Sequence, residues 1–475
     1  MTSFFSPRAT GWDTWLQLLV FLLGLSIFLS NTGIYLCSAL LVLYCVARLI
    51  ADPDYRNFFQ GNKVVNLSLL LYALGLAVTI IHPGAIEDIS FYARKAGGLL
   101  ILPPLLEAFR HKAQRNTALA ALILGFWASL FYTMHQIGWW WTGGRVAGTW
   151  LVDVWGVVLA MFVAFIVPHL FTPGTKREGH SLSLKMLYAI TTVAATILLV
   201  MSGGRGPWLG TLLAIFLFLL LYRRRLLLYL VLLLPMLYLP IHFWNPTPVT
   251  QTMERAESIT DLEDRGNWIR LTLWKLSACH SLHTAINEPW KFLLGHGPKS
   301  HEAPMMAFHR ETDCLSPETK ERLRPFPTND MHNMYLDTLA KMGAVWTTLF
   351  LLFIVSFLFR RTPGSPPPRP PRLHTYIEID RALPQEGRAA EGHQASKGGE
   401  GEKTALQEEP RNHTEPFHQG AMGVVVVFLV TGVFYSIALH WANFMLAYFI
   451  ALGYAPGPGG REVIVQRNTI QEGRE

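Results

Sequence analysis

Apolar runs of about 17–25 residues recur along this chain, each long enough to carry a helix across the hydrocarbon core of a bilayer. Inside lipid the backbone must satisfy its own hydrogen bonds, which leaves only helices or a closed barrel. Continuous apolar runs, without polar alternation, choose helices. Only 15% of the 475 residues are charged, against roughly 25% in a soluble globular chain. The chain therefore reads as an all-α polytopic integral membrane protein.

About twelve spans are expected, near 13–29, 33–49, 65–82, 93–109, 117–137, 151–171, 185–201, 207–222, 226–243, 334–359, 421–438 and 440–454. The first two lie so close together that they read as a retained hairpin, not a cleaved signal peptide. Lys and Arg accumulate in cytoplasmic connections, and this tests the count. With the N-terminus inside, the inner loops hold Arg48/Arg56/Lys63, Arg110/Lys112/Arg115, Lys176/Arg177/Lys185, Arg223/Arg224/Arg225 and Arg360-Arg361. The short outer loops hold few cations: Arg94, Lys95, Arg145 and Arg205. Removing one span would invert half of this pattern. The net charge of +7 thus follows membrane sidedness and is no nucleic-acid signal.

The organisation that follows is spans one to nine over 1–243, an outer loop with helices over 244–332, span ten over 333–360, an inner loop over 361–419, spans eleven and twelve over 420–455, and an inner tail over 456–475. In a bacterium the outer loop is periplasmic. It has helical patterning from Asp264 to Ala285. The inner loop opens with Pro363-Gly-Ser-Pro-Pro-Pro-Arg-Pro-Pro371 and continues rich in Gly, Glu, Lys and Gln, the composition of a disordered linker.

Because cations are scarce on the outer face, each one there is informative. Arg205 sits in Ser202-Gly-Gly-Arg-Gly-Pro-Trp208, a turn between two spans. Its glycines permit close backbone approach, and Pro207 suits the first turn of the next helix. A guanidinium beside a helix N-terminus is an anion site; the other reading is a hairpin turn with a snorkelling Arg. Arg145 follows Trp139-Trp-Trp141, an interfacial aromatic belt, and is either a headgroup contact or part of a phosphate site. Arg94 and Lys95, opening the fourth span, present the same choice. In the loop, Arg265 and Arg270 are too unevenly spaced to share a helix face, whereas Arg270 and Trp274 share one at i, i+4.

His332-Asn333 stands where the outer loop re-enters the membrane. Histidine can exchange protons near neutral pH, so His332 is either a proton acceptor or a polar anchor. The loop histidines His280, His283, His296, His301 and His309 lack the Cys or carboxylate pattern of a metal site. No metal or cofactor is expected. Neither a nucleotide-binding glycine loop nor a nucleophile elbow occurs. Cys37 and Cys45 read as packing residues. Cys279 and Cys314 share the outer loop, where a disulfide is permitted but not fixed by spacing.

Taken together, these pieces resemble the O-antigen ligase / O-antigen polymerase family of bacterial membrane glycosyltransferases, of the GT-C type. The resemblance is carried by four features. They are the Ser-Gly-Gly-Arg205-Gly turn, Arg270-x-x-x-Trp274 leading to Glu288-Pro-Trp-Lys-Phe-Leu-Leu-Gly295-His-Gly297, His332-Asn333 followed by Gly343, and one large late outer loop. The chain departs from the ligase pattern at Trp346, where ligases carry a small residue or Tyr, and in the long insertion 362–418.

The resemblance implies a metal-independent transfer of a glycan from undecaprenyl pyrophosphate to lipid A–core, at the periplasmic face of the inner membrane and among its lipids. Arg205 and Arg270 would bind the leaving pyrophosphate, with Arg145 and Arg265 as second choices for that role. Trp274 would help bind substrate. His332 would be the base in a single inverting displacement. Asn333 would orient the imidazole or a substrate hydroxyl, and Asp330 or Asp337 would hold the tautomer. An O-antigen polymerase and a protein O-oligosaccharyltransferase share this donor chemistry. A lipid-linked glycan transporter is disfavoured, because such proteins carry repeated halves and charges at the bilayer midplane.

Overall fold

Side-chain caps set where several helices of this chain begin. The Ser30 side chain accepts from the Gly33 amide, Asn62 from Val64 and Val65, Asp264 from Gly266 and Asn267, and Asn333 from Tyr335 and Leu336. Each satisfies amide groups that a helix start leaves unpaired. The structure, a computed structural model, describes residues 11–82, 84–139, 141, 144–171, 182–227, 246–326, 330–360, 415–440 and 442–454. These residues are all-helical, and they belong to one compact unit.

The elements are α1 (Gly11–Leu29), α2 (Asn31–Ala51), α3 (Pro53–Gly61), α4 (Lys63–Ile80), α5 (Ala85–Lys95), α6 (Gly98–Ala108), α7 (Lys112–Gln136), α8 (Val152–Leu170), α9 (Leu182–Ser202) and α10 (Arg205–Tyr222). The outer loop contributes α11 (Pro246–Glu257), α12 (Arg265–Asn287), α13 (Pro289–Leu294), α14 (Glu302–Glu311) and α15 (Pro317–Leu323). The chain then forms α16 (Met334–Phe359), α17 (Glu415–Gly432) and α18 (Ala442–Tyr454).

Seven of these helices, α2, α4, α7, α8, α9, α10 and α16, are long and apolar enough to cross a membrane, and shorter apolar helices lie at 13–29, 416–432 and 442–454. The twelve-span expectation is therefore matched in kind but not in number. Residues 228–243 of the ninth expected span lie outside the described residues, as do 361–414 of the expected inner loop and 455–475 of the tail. The inner loop is also shorter than its expected end at 419, because α17 already begins at Glu415.

Two spans are broken. The expected fourth span divides at Ala96–Gly97 into α5 and α6, so Arg94 and Lys95 close a short helix instead of opening a long one. The eleventh ends at Gly432, and residues 433–440 form an irregular turn. Helix α6 has 11 residues and α18 has 13. At 1.5 Å per residue these reach roughly 16–20 Å, well short of a bilayer core of about 30 Å. Both are buried within the bundle, packed on each other, with Gly98 against the backbone of Asn443. Irregular backbone at such depth is tolerated only inside protein. Around them, α1 packs on α7, and α17 lies against α8 and α10. Helix α8 is enclosed from Trp155 to His169.

Trp346, the residue at odds with the ligase pattern, is a core anchor. Its indole donates to the Leu71 carbonyl (3.1 Å), and its ring stacks on Phe350.

The outer loop has its own small core of Leu273, Leu276, Met305, Leu315, Leu323 and Met331, flanked by Trp268, Phe308 and Phe326. Cys279 and Cys314 are bridged there across 35 positions, with their Cα atoms 6.5 Å apart. Closing a loop of that length is worth about 4 kcal/mol in chain entropy. The loop docks on α16 where that helix breaks at Gly343 (φ 77°, ψ 172°). The His296 and Gly297 amides donate to the carbonyls of Ala340 and Lys341, both at 3.0 Å. Asp88 supports the same turn by accepting from the Lys299 and Ser300 amides and the Ser300 hydroxyl.

A Cβ on Gly343 would strike the Leu293 carbonyl and the Gly295 amide. Its backbone conformation alone disfavours any other residue by about 1–3 kcal/mol. Gly343→Ala is expected to lower the thermal unfolding midpoint of the purified protein in detergent. The exposed neighbour Val345→Ala should leave it nearly unchanged.

Candidate active site

The turn between α9 and α10 places Arg205 as the first residue of α10, buried at 5% exposure. Gly203 (φ +64°) makes the turn, and its carbonyl accepts from Arg255 Nε (3.3 Å). The Arg205 guanidinium donates to the Ser258 carbonyl (3.0 Å) and to Asn267 Oδ1 (2.6 Å), and pairs with Asp264 at 3.1 Å. Asn267 donates in turn to the carbonyls of Ser258 and Asp261, both at 2.7 Å. Burial pushes the Asp264 carboxyl up, but the Asn267 amide and Arg205 outweigh it and hold the group below the usual carboxylate range. Arg205 therefore fixes the start of α12, and its charge is partnered within the protein.

One face of α12 presents Arg270 and Trp274 to the turn between α17 and α18, where three consecutive residues of that turn receive them and the His332 segment. The Phe434 ring lies 6.4 Å from that of Trp274. The Arg270 guanidinium stands 5.7 Å from the centre of the Tyr435 ring. The Ser436 hydroxyl donates to Asp330 Oδ1 (2.6 Å). Gly206 permits this approach, because its Cα position lies directly beneath Phe434 and Tyr435.

Tyr435 faces three arginines. They are Arg270, Arg145 and Arg255, and the Asp153 carboxylate acts on the same hydroxyl. Arg145 is held by the Ser202 carbonyl (3.0 Å) and by Asp153 (2.6 Å) in a half-open ion pair. Among the described residues, Arg255 and Arg270 form no ion pair. Burial lowers the pKa of Arg255, and its neighbours Arg205 and Arg145 lower it further. Arg205 and Arg145 have carboxylate partners and Asp264 also attracts Arg255, so Arg255 and Arg270 are the members of the cluster most open to a bound anion.

His332 has a left-handed backbone (φ 48°), uncommon outside glycine though less so for histidine. Its main-chain amide donates to Asp330 Oδ1 (2.8 Å), and its carbonyl accepts from the Trp274 indole (3.4 Å). The side chain is half-buried, and among the described residues no hydrogen bond holds its imidazole. Burial raises the Asp330 carboxyl, but attraction to His332 and the bonds from Ser436 and the His332 amide bring it below the usual range.

The expected site residues are thus distributed as follows. Arg145, Arg270, Trp274, His332 and Asn333 gather around residues 433–436. Asn333 uses its amide oxygen to cap α16 and its amide nitrogen to bind the Val433 carbonyl (3.2 Å). Asp337 pairs with Lys341 (2.7 Å), and Asp330 meets the His332 backbone, not its ring. Arg265 turns to the Phe326 ring, 5.4 Å away. Arg255 and Tyr435 escape the sequence reading. Arg255 belongs to no motif, although any outer arginine is a signal, and Tyr435 is hidden in an apolar run that reads as unbroken helix.

A second histidine group lies where the loop docks. His280 and His296 are buried with ring centres 5.1 Å apart. Among the described residues no three His, Cys, Asp or Glu side chains are placed to hold a metal.

Residues 190–353, about a third of the chain, match a family model described as O-antigen ligase. The matched segment contains Arg205, Arg255, Arg270, Trp274 and His332. The resemblance to the O-antigen ligase and polymerase family is thereby borne out, and with it a ligase- or polymerase-type enzyme in a membrane. Among curated proteins none matches the chain.

Burial, followed by His296 and His283 against a smaller pull from Glu288, brings His280 down to about 4 from an ordinary 6.5. The unfolded chain therefore takes up the proton first. Stability from this group is complete above pH 6.5 and falls as the pH drops towards about 4. The loss is at most about 3 kcal/mol. Thermal unfolding midpoints in detergent between pH 7.5 and 4.5 should fall with acidity, and should fall less in His280→Phe.

Proposed function

We propose that this protein is an O-antigen ligase. It would take the glycan of an undecaprenyl-pyrophosphate donor and pass it to a hydroxyl of lipid A–core at the periplasmic face of the inner membrane. The observation that carries this reading is the turn 433–436, which joins the arginine face to the His332 segment through consecutive residues.

The chemistry follows from the side chains. The donor is already activated, so no nucleotide is needed. The acceptor oxygen attacks the anomeric carbon while the bond from that carbon to the pyrophosphate oxygen breaks. The acceptor proton passes to His332, and the electron pair leaves with undecaprenyl pyrophosphate. A single attack from the opposite face inverts the anomeric centre. An imidazole without a fixed hydrogen-bond partner can accept that proton. Arg270 and Arg255 would meet the charge that grows on the leaving group, where preorganised donors act most strongly. Arg145 would complete the pyrophosphate contact from the rim. Arg205 would act by positioning, since it holds the start of the helix that bears Arg270. Trp274 would position His332 through the carbonyl it binds, and Arg265 would touch the acceptor side. No metal takes part in this scheme.

His332→Ala should reduce transfer by at least 100-fold with folding and donor binding retained, and transfer by the purified wild type should survive EDTA. The check is a lipopolysaccharide gel from a host lacking the gene, complemented by wild type or variant. Loss of O-antigen from lipid A–core with long polymer left on the lipid carrier supports the ligase. Core capped by a single repeat would make the protein the polymerase, and an unchanged gel would remove both and turn attention to glycoproteins.

Arg255→Gln with Arg270→Gln is expected to weaken donor use by 10-fold or more. Pyrophosphate inhibition of the purified enzyme should weaken in parallel. Inhibition unchanged by the double substitution would detach these arginines from the donor.

A further inference from the structure

The outer loop contains a cavity that the proposed reaction does not use. It lies between α14 and α15 and has a volume of about 930 Å³. His309, Arg310, Lys320 and Arg324 supply its polar wall, and Met306 and Phe326 an apolar one. Of the two carboxylates at its edge, Glu321 is taken by Arg324 (3.2 Å), and Glu302 sits in the first turn of α14.

Arg310 and Lys320 remain without an ion pair among the described residues. The Lys320 ammonium donates to the Arg310 carbonyl (3.2 Å), which holds its stem beside the root of the Arg310 side chain. His309 stands next to both. Its Nε2 is buried with no hydrogen-bond partner, and its pKa is lowered by burial, then by Lys320 and Arg310. Three nitrogen-bearing side chains thus converge on one concave surface, two of them cations that form no ion pair among the described residues.

We propose that this cavity binds a phosphate- or carboxylate-bearing sugar of the acceptor glycan, gripped by Arg310 and Lys320. Arginine suits a two-oxygen anion because its planar fork donates in pairs, and lysine adds a point charge. The volume suits a small glycan segment, since binding pockets of about 300–1,000 Å³ enclose molecules of a few rings. Phe326 and Met306 offer the apolar contact that the C–H face of a sugar ring requires. Arg324 and Phe326 precede His332 by eight and six positions. An extended chain covers at most about 3.6 Å per residue, so these walls lie within roughly 29 Å and 22 Å of His332. A glycan of several sugars spans that interval, with its charged unit in the cavity and its reacting hydroxyl at His332.

The inference rests on the ligase reading for the word acceptor, but its test does not. Saturation-transfer NMR on the full-length protein in detergent would compare glucose 6-phosphate, glucuronate, glucose and glycerol 3-phosphate as probes. At least one of the two charged sugars should bind both wild type and Arg255→Gln/Arg270→Gln. Arg310→Gln/Lys320→Gln should weaken it at least fivefold while keeping the Cys279–Cys314 bridge and the elution volume. Glucose should not bind.

Four results would each overturn the proposal: no binding of either charged sugar; binding that survives Arg310→Gln/Lys320→Gln; equal binding of glucose; or equal binding of glycerol 3-phosphate, which would make the cavity a lipid-headgroup site. In transfer assays the same double substitution should raise KM for the acceptor about tenfold with kcat little changed. A failed transfer assay with intact sugar binding would count against the ligase reading and leave the cavity standing.

Discussion

The guanidinium of Arg205 is committed to Asp264, Asn267 and the Ser258 carbonyl, and the outer face depends on that commitment. A charge removed from water needs a partner and satisfied hydrogen bonds. Among the described residues the terminal nitrogens of Arg205 find their carboxylate and their acceptors in the segment 258–267, which returns to the α9–α10 turn. This return sets the start of α12. About one and a half helical turns later Arg270 stands near Tyr435, and a turn beyond it Trp274 stands near Phe434. An arginine that looks from the sequence like a ligand contact is here the fastening that sets where α12 begins.

Two levels of the structure differ in how far the sequence discloses them. The long helices are legible because lipid imposes a length and an apolar composition on each. The α12 helix is legible too, since Asp264 is a strong cap and Trp268, Leu271 and Trp274 keep a helical spacing. The breaks are not. Residues 433–440 include Val433, Phe434, Tyr435 and Ile437, as apolar as any span. Hydropathy cannot distinguish a chain facing lipid from one packed against the protein's own loop and helices, as 434–436 are against Gly206, Arg270, Trp274 and Asp330. The same limit hides the division of α5 from α6.

The candidate site shows the same contrast. His332 and Arg270 stand out because charge at an outer membrane boundary is scarce. Their relation does not, because it runs through residues a hundred or more positions away in the chain. Asp330 illustrates this. It meets Ser436 and the His332 amide, so it fixes the backbone that bears the imidazole, a role that spacing alone does not reveal. Asn333 is likewise occupied in starting a helix and in holding Val433.

The break at Gly343 divides α16 into parts that answer to different surroundings. Residues 334–342 carry the carbonyls that bind the Gly295–Gly297 turn, while 344–359 form the apolar length. Membranes of unequal thickness force apolar helices to tilt by different amounts. A tilt of 344–359 reaches an interruption in the helical hydrogen bonds before it reaches His332. The histidine is mounted on the loop. A tilt of 344–359 can be taken up at Gly343, ahead of the segment 334–342 that the loop holds.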